Sequence, residues 1–259
     1  MDTFGEQQQH QYPVPGSGDP GPDSGDTGGP GAENPGGFDY SGGPMPTVGT
    51  TVCLVRHGET DWNVAGRLQG REDIPLNARG REQARLSGQA LRATGWDLIL
   101  TSPLRRAAET ARIIAEIAAV PRVVEVPDLV ERDYGMASGL TRAEKHARFF
   151  DGVVPGEEDR ASARDRSLAV LVSWVDRHRD GRILVVTHGG VISALLTAVS
   201  RGAVVVAPGS LANACLNVLH HVDGGWRVLA HNVVDHLVAG RSLPGRAVPD
   251  RLRGGRAAR

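Results

Sequence analysis

Residues 51–60 read Thr51-Val52-Cys53-Leu54-Val55-Arg56-His57-Gly58-Glu59-Thr60. The first five residues form a short apolar run rich in β-branched side chains, which is typical of a buried strand. This run leads directly into a cation, an imidazole and a glycine. A second apolar run, Ile183–Thr187, leads in the same way into His188-Gly189-Gly190. If the two runs are adjacent parallel strands, both histidines lie at the sheet edge where ligands bind in such folds.

Amphipathic segments alternate with apolar runs along most of the chain. The pattern predicts helices over the ranges Ala78–Ala93, 103–118, Arg160–His178 and 189–199. It predicts further strands at Leu98–Leu100, Val123–Val126, Leu216–Val222 and Trp226–His231. This alternation predicts an α/β fold, a three-layer sandwich in which helices flank a largely parallel central sheet.

Local signals mark several ends of these elements. Asn77 is a predicted N-cap, and Thr141 with Glu144 has the spacing of a capping box. Ser102 and Pro103 are expected to supply the N-cap and the first residue of a helix. Asp223-Gly224-Gly225 predicts a hairpin turn between the last two strands.

The overall charge is nearly balanced, with 29 basic and 30 acidic residues among 259. This balance argues against a protein that binds nucleic acid or a membrane surface through bulk charge. No run approaches the roughly 18 to 20 apolar residues that span a bilayer, and we expect no secretory signal. Cys53 and Cys215 lie in apolar runs, so we expect buried, unpaired thiols and no zinc site. The predicted compartment is the cytoplasm.

Charge is unevenly distributed along the chain. Residues 1–48 contain seven acidic residues, no lysine or arginine, 12 of the 34 glycines and 8 of the 16 prolines. Such a segment buries too little apolar surface to fold, so we expect disorder. Residues 240–259 carry six arginines against one acid and predict a disordered basic tail, with anchoring to a polyanion as the alternative. Residues 49–239 are the predicted single domain.

Four segments carry residues suited to phosphate chemistry, although each one alone is more often structural. Arg56 and His57 follow one predicted strand, and His188 follows another. Arg105 and Arg106 lie in the first turn of a predicted helix, where the helix dipole disfavours cations unless an anion binds there. Spacing does not decide which arginine faces inward. A loop carboxylate, Glu131, completes the set.

In this order the four segments resemble the histidine phosphatase superfamily, also called the phosphoglycerate mutase-like family, over roughly residues 51–235. The motifs are Arg56-His57-Gly58-Glu59-Thr60 with Asn63, Ser102-Pro103-Leu104-x-Arg106-Ala107-x-x-Thr110-Ala111, Leu129-x-Glu131 with Tyr134-Gly135, and Thr187-His188-Gly189-Gly190. In the second motif the matching arginine is Arg106, not Arg105.

The resemblance implies a role for each of these residues. His57 would attack phosphorus and form a phosphohistidine, with no metal and no cofactor required. Arg56, Arg106 and His188 would surround the phosphoryl oxygens, and Asn63 would be a further phosphate donor. Glu131 would protonate the leaving alcohol and then deprotonate the attacking water. The implied partner is a small phosphorylated metabolite; a homodimer is one possible assembly, which the sequence does not decide.

The resemblance leaves three functions open. The leading prediction is a metal-independent phosphatase that hydrolyses small phosphomonoesters. The alternatives are a phosphoglycerate mutase and a non-catalytic phosphate-binding protein. Mutases of this family typically have Asn where this chain has Gly190, and a longer middle segment, so hydrolysis is favoured. Ser138 replaces a Glu or Gln of many members, which weakens a borrowed substrate, and residues 132–160 are expected to set specificity.

Overall fold

A six-stranded sheet forms the centre of the computed structural model, which describes residues 48–238. The predicted acidic segment, up to residue 47, and the predicted basic tail lie outside the described residues. The strands are β1 Thr50–Arg56, β2 Leu98–Thr101, β3 Val123–Glu125, β4 Arg182–Thr187, β5 Leu216–Val222 and β6 Gly225–Val233. Their order is β3-β2-β4-β1-β5-β6. The first four strands in this order are parallel, and β5 and β6 are antiparallel, which confirms the largely parallel sheet.

Helices cover both faces of the sheet. They are α1 Asp61–Val64, α2 Ala78–Leu91, α3 Arg105–Ala118, α4 Arg142–Arg148, α5 Arg160–Arg177 and α6 Gly189–Val199. Single 3₁₀ turns lie at Arg92–Thr94, Pro127–Leu129, Gly135–Ala137 and Asp235–Leu237. Apolar residues of α5 and α6 pack on one face of the parallel strands, and those of α2 and α3 pack on the other. The predicted three-layer arrangement is confirmed. Across residues 48–238, no helix has the length and apolar character needed to cross a membrane.

The register of β1 and β4 places the two histidine segments side by side. Arg56 is aligned with Thr187 in the parallel ladder, so both strands end at the same level. The backbone N–H of His57 donates to the carbonyl oxygen of Thr187 over 2.9 Å. His57 and His188 therefore follow adjacent strands at the C-terminal edge of the sheet, as expected from the two apolar runs that lead into them.

The predicted start of α3 is wrong. The helix begins at Arg105 and its N-cap is Leu104, whose side chain makes no capping hydrogen bond. Ser102 lies three residues before the helix, where its hydroxyl accepts from the N–H of Leu104 over 3.3 Å and lies 2.8 Å from Nε2 of His188. The first helical N–H, that of Arg105, is instead satisfied by Oδ1 of Asp73 over 2.7 Å. A carboxylate from another segment thus performs the capping role.

The other local signals agree with the structure. Asn77 caps α2 by accepting from the Gly80 N–H over 2.8 Å, and Thr141 with Glu144 forms a capping box at α4. The hairpin turns at Asp223 and Gly224, both with positive φ, as a two-residue turn between paired strands requires. Cys53 and Cys215 are buried and unpaired, as expected.

Candidate active site

His57 is buried directly after β1, and a backbone carbonyl group determines which of its ring nitrogens carries the proton. Its Nδ1 lies 2.7 Å from the carbonyl oxygen of Gly58. Because a carbonyl oxygen only accepts hydrogen bonds, Nδ1 carries the proton and Nε2 keeps its lone pair. Burial holds the pKa of His57 well below its ordinary value, and the charges of Arg106 and Arg56 lower it further. The imidazole is therefore neutral at neutral pH, with Nε2 available as a nucleophile.

The backbone of His57 is held on several sides. Its carbonyl oxygen accepts from the N–H of Ala214 over 3.2 Å and from the Nδ2 amide of Asn213 over 3.2 Å. On the following residue, a β-carbon at Gly58 would overlap the carbonyl oxygen of Gly80 at the start of α2. Only glycine allows this close approach. The His57 segment is thus clamped between α2 and the residues before β5.

Arg106 is fully buried, whereas its neighbour Arg105 is exposed. Its Nη1 and Nη2 donate to the carbonyl oxygens of Glu72 and Gly70 over 2.6 and 2.8 Å. Its Nε has no hydrogen-bond partner among the described residues. Burial lowers the pKa of Arg106 to about 10, although the charge of Glu131 acts in the opposite direction. The guanidinium makes no carboxylate ion pair in this part of the chain, so its charge suits an anion in the cleft.

Arg56 has a similar environment at the end of β1. One of its terminal nitrogens, Nη1, donates to the carbonyl oxygen of Leu211, and its buried Nε lacks a partner within residues 48–238. Burial lowers its pKa, while nearby acidic and thiol groups, including Glu131, oppose that change. Arg56 and Arg106 thus each present an unused buried N–H donor.

His188 caps the start of α6 and packs against His57. The two ring centroids are 5.2 Å apart, and Nε2 of His188 lies 2.8 Å from the hydroxyl of Ser102. Its buried Nδ1 has no partner among the described residues. Burial, together with the charge of Arg106, holds the pKa of His188 well below its ordinary value. This ring is a neutral hydrogen-bonding group beside the nucleophilic one.

Glu131 reaches the same place from the loop after the 3₁₀ turn Pro127–Leu129. Its carboxyl oxygens accept from the N–H groups of Arg132 over 2.8 Å and Gly190 over 3.0 Å. A β-carbon at Gly190 would lie 2.5 Å from Oε1 of Glu131. The glycine therefore allows the carboxyl group to rest against the first turn of α6.

Hydrogen bonds to its side-chain oxygen hold Asn63, the last predicted site residue, in place. Its Oδ1 accepts from the backbone N–H of Thr60 over 3.1 Å and from Nδ2 of Asn213 over 3.1 Å. Asn63 lines the cleft, and its Nδ2 makes no hydrogen bond to any of residues 48–238. This orientation leaves the donor end of the amide available to an anion.

A cavity of about 750 Å³ joins these groups beyond the ends of β1 and β4. Five predicted site residues line it, and they are Arg56, His57, Asn63, Arg106 and Glu131. His188 packs behind His57. Within residues 48–238, no group of three or more His, Cys, Asp or Glu side chains is arranged to hold a metal ion. Among the described residues, the lining combines the guanidinium groups of Arg56 and Arg106, the neutral imidazole of His57 and the carboxylate of Glu131, a combination suited to binding a phosphoryl group.

A family comparison agrees with this geometry. The family model for the histidine phosphatase superfamily (branch 1) matches residues 52–234. The chain belongs to this superfamily. It is 43% identical over 188 residues to the uncharacterized phosphatase PhoE of Bacillus subtilis (strain 168), a match that covers 73% of this chain and 97% of the relative.

Two further comparisons cover a similar share of this chain. The metal-independent phosphoserine phosphatase of Arabidopsis thaliana is 37% identical over 201 residues, which cover 73% of this chain and 83% of that protein. Among solved structures, Bacillus stearothermophilus YhfR aligns with a TM-score of 0.67 at 29% identity, over 73% of this chain and 99% of that one. The predicted family and fold are confirmed.

The histidine phosphatase domain brings all six predicted site residues together. Sequence reasoning missed Asn213, whose amide contacts the carbonyl oxygens of His57 and Gly58 and the Oδ1 of Asn63. It also missed the contact between Ser102 and His188. Asn213 lies about 150 residues away along the chain from the groups it holds, and the residues around it gave no local signal.

Proposed function

We propose that this protein hydrolyses small phosphomonoesters through a phosphohistidine formed on His57. The observation that carries this proposal is the neutral, buried His57, whose Nε2 lone pair is available near Arg56 and Arg106, two arginines whose buried Nε donors have no partner among residues 48–238. The names of the Bacillus and Arabidopsis relatives, which are both phosphatases, support the same reaction class.

In the first step, Nε2 of His57 attacks phosphorus as the bond to the leaving alcohol oxygen breaks. Arg56, Arg106 and His188 stabilise the charge on the non-bridging oxygens, and Nδ2 of Asn63 adds a further donor. Protonated Glu131 transfers its proton to the departing oxygen, so the product leaves as a neutral alcohol. The enzyme then holds a phosphoryl group on Nε2, and Glu131 is ionised.

In the second step, a water molecule attacks the phosphohistidine. The Glu131 carboxylate accepts the proton of that water as the new P–O bond forms and the N–P bond breaks. Inorganic phosphate leaves, His57 regains its lone pair and Glu131 is again protonated. One carboxyl group thus serves as acid and then as base, and Gly190 and Arg132 hold it in place through their backbone N–H groups.

Gly190 favours hydrolysis over a mutase reaction. A mutase must return the phosphoryl group to an organic hydroxyl, whereas a hydrolase must admit water beside Glu131. Since a β-carbon at position 190 would lie 2.5 Å from Oε1, a side chain there, such as the Asn typical of mutases, would displace the carboxyl group of Glu131 from this position. We place the reaction in the cytoplasm, which agrees with two unpaired buried cysteines.

Product analysis with a matched pair of histidine variants tests this function. We expect wild-type protein to release inorganic phosphate from p-nitrophenyl phosphate and from 3-phosphoglycerate, His57→Ala to lose this activity, and His146→Ala to retain it. His146 is an exposed residue of α4. Isomerisation of 3-phosphoglycerate with little free phosphate would identify a mutase. Phosphate binding without turnover would identify a non-catalytic protein.

A further inference from the structure

Ser102 is the first residue after β2, and the sheet holds it next to His188. In the parallel ladder between β2 and β4, Thr101 is aligned with Val186, two residues before His188. The backbone N–H of Ser102 continues this ladder by donating to the carbonyl oxygen of Val186 over 3.0 Å. Ser102 and His188 are both fully buried. The end of β2 therefore presents a serine hydroxyl to the ring of His188, with Oγ 2.8 Å from Nε2.

The hydroxyl of Ser102 has two hydrogen-bonding neighbours among residues 48–238. Its oxygen accepts from the backbone N–H of Leu104 over 3.3 Å, a bond that closes the turn before α3. Its own hydrogen also needs an acceptor, and Nε2 of His188 is the acceptor within reach in this part of the chain. A hydroxyl group has one hydrogen to donate and lone pairs to accept with, so both of these bonds can form together.

The opposite placement of the proton at this contact is unfavourable. Burial holds the pKa of His188 well below its ordinary value, so the neutral ring has one proton to place. If Nε2 carried it, the oxygen of Ser102 would accept from two N–H groups, and its hydrogen would lack a partner among the described residues. A buried hydroxyl in that state loses its hydration without replacement. Nδ1 of His188 would then carry a lone pair, which a phosphoryl oxygen repels.

Nδ1 of His188 is one of a small set of buried atoms without a hydrogen-bond partner. Within residues 48–238, that set also includes Nε of Arg56 and Nε of Arg106. Besides burial, the charges of both arginines lower the pKa of His188 and of His57, so the four groups are close enough to act on one another. With the proton on Nδ1, all three atoms of the set are N–H donors. Three unused donors near one nucleophile match the three non-bridging oxygens of a phosphoryl group.

From these contacts we propose that Ser102 is a positioning residue that selects the tautomer of His188. Its hydroxyl donates to Nε2, the ring proton resides on Nδ1, and Nδ1–H donates to a non-bridging oxygen of the transferring phosphoryl group. A hydrogen bond at one ring nitrogen fixes the protonation of the other in this way. The inference rests on the proposed phosphatase function and deepens it, since Ser102 acts through His188 and not on phosphorus.

NMR measures directly which nitrogen of His188 is protonated. Long-range ¹H–¹⁵N correlation spectra of ¹⁵N-labelled wild-type protein, recorded without substrate at neutral pH, distinguish a protonated ring nitrogen from an unprotonated one by its ¹⁵N chemical shift. The signals of His188 are identified by their loss in His188→Asn. We expect Nδ1 to be protonated and Nε2 to be unprotonated. A protonated Nε2, alone or together with a protonated Nδ1, would overturn the proposal.

Two variants of Ser102 provide the second arm of the test. Ser102→Ala should populate the Nε2-protonated tautomer of His188. It should also lower kcat for p-nitrophenyl phosphate by about 10- to 100-fold, with a smaller change in KM, because a donor of this kind acts mainly in the transition state. Ser102→Thr keeps the hydroxyl and should restore the wild-type tautomer and most of kcat.

Ser167→Ala is the matched control for the loss of a buried serine hydroxyl. Ser167 is also fully buried, and its hydroxyl donates to the carbonyl oxygens of Ala163 and Arg164 within α5. We expect this variant to change kcat less than about twofold. Thermal unfolding of each variant reports its stability. If Ser102→Ala does not fold, the wild-type spectrum still decides between the two positions of the proton.

The outcomes separate this inference from the function on which it rests. An unchanged kcat in Ser102→Ala, or a lowered kcat with the wild-type tautomer retained, would exclude Ser102 as the residue that sets His188. Wild-type protein that hydrolyses p-nitrophenyl phosphate with Nε2 of His188 protonated would overturn the inference alone. Wild-type protein that has the expected tautomer and hydrolyses no ester would overturn the proposed function, and with it the catalytic role of the tautomer.

Discussion

The backbone N–H of Gly190 donates a hydrogen bond to Oε2 of Glu131 over 3.0 Å, and the missing side chain of Gly190 makes room for the same carboxyl group. One glycine at the start of α6 therefore both binds and accommodates the proposed proton donor. This contact connects the segment after β4 with the loop after β3. The mechanism depends on it because Glu131 has to act on a leaving oxygen and then on water.

Gly190→Ala should impair catalysis without unfolding the protein. Its β-carbon would meet Oε1 at 2.5 Å and displace the carboxyl group. Misplacement of a catalytic group by about 1 Å can cost roughly 100-fold in rate, so we expect kcat to fall by about 10- to 100-fold. Gly189→Ala should lose less, because its nearest contact would be 3.4 Å. Steady-state kinetics and thermal unfolding of both variants check this; an unaltered kcat in Gly190→Ala would contradict it.

Glu131→Gln should separate the two chemical steps. With p-nitrophenyl phosphate the leaving group needs little protonation, so His57 can still be phosphorylated. Without a carboxylate to activate water, the phosphoenzyme should then break down about 100- to 10,000-fold more slowly than in the wild type. Stopped-flow absorbance should record a burst of p-nitrophenol close to one per active site. Steady turnover at the wild-type rate would exclude Glu131 as the proton-transfer group.

Arg106 and Arg105 provide a matched pair of adjacent arginines. Arg106 is fully buried and uses both terminal nitrogens on the carbonyl oxygens of Gly70 and Glu72, whereas Arg105 is exposed. A lysine cannot reproduce this fork, so Arg106→Lys should lower kcat/KM by about 100- to 1,000-fold. Arg105→Lys should change it less than about twofold.

Because Arg56 and Arg106 supply the positive charge, EDTA should leave wild-type activity unchanged.

Stability should fall as the pH falls from 7 to 5, in part because of His236. This ring is buried beside Ser87, and burial lowers its pKa to about 4 from 6.5. Between these values the unfolded chain binds a proton that the folded protein does not, so the free energy of unfolding falls as the pH falls below about 6.5. The loss from this residue is about 2 kcal/mol by pH 5.

Urea titrations of wild type and His236→Gln at pH 7 and pH 5 check this contribution. The variant should be less stable at pH 7 but lose less free energy of unfolding between the two pH values. An equal loss in both proteins would show that the pH dependence comes from other groups. His57 and His188, whose pKa values are also lowered by burial, contribute in the same direction.

The sequence predicted the features that depend on local pattern. The apolar runs before His57 and His188 located two adjacent strands, and the ordered motifs pointed to six residues that the structure brings close together. Features that depend on distant partners were not predictable. Asp73, 32 residues away, satisfies the first N–H of α3, while Ser102 contacts His188, 86 residues away. Asn213 likewise holds His57 from the other end of the domain. Such contacts leave no periodicity or capping signal near either residue.

The most direct test of the account is to trap and locate the phosphoryl group. Glu131→Gln protein should be mixed with ³²P-labelled substrate, quenched in alkali and digested, and the labelled peptide should be sequenced by mass spectrometry. The account predicts close to one acid-labile, alkali-stable phosphoryl group per protein, attached to His57, and none in the double variant His57→Ala/Glu131→Gln. A label on another residue, or unimpaired hydrolysis by His57→Ala, would contradict the account.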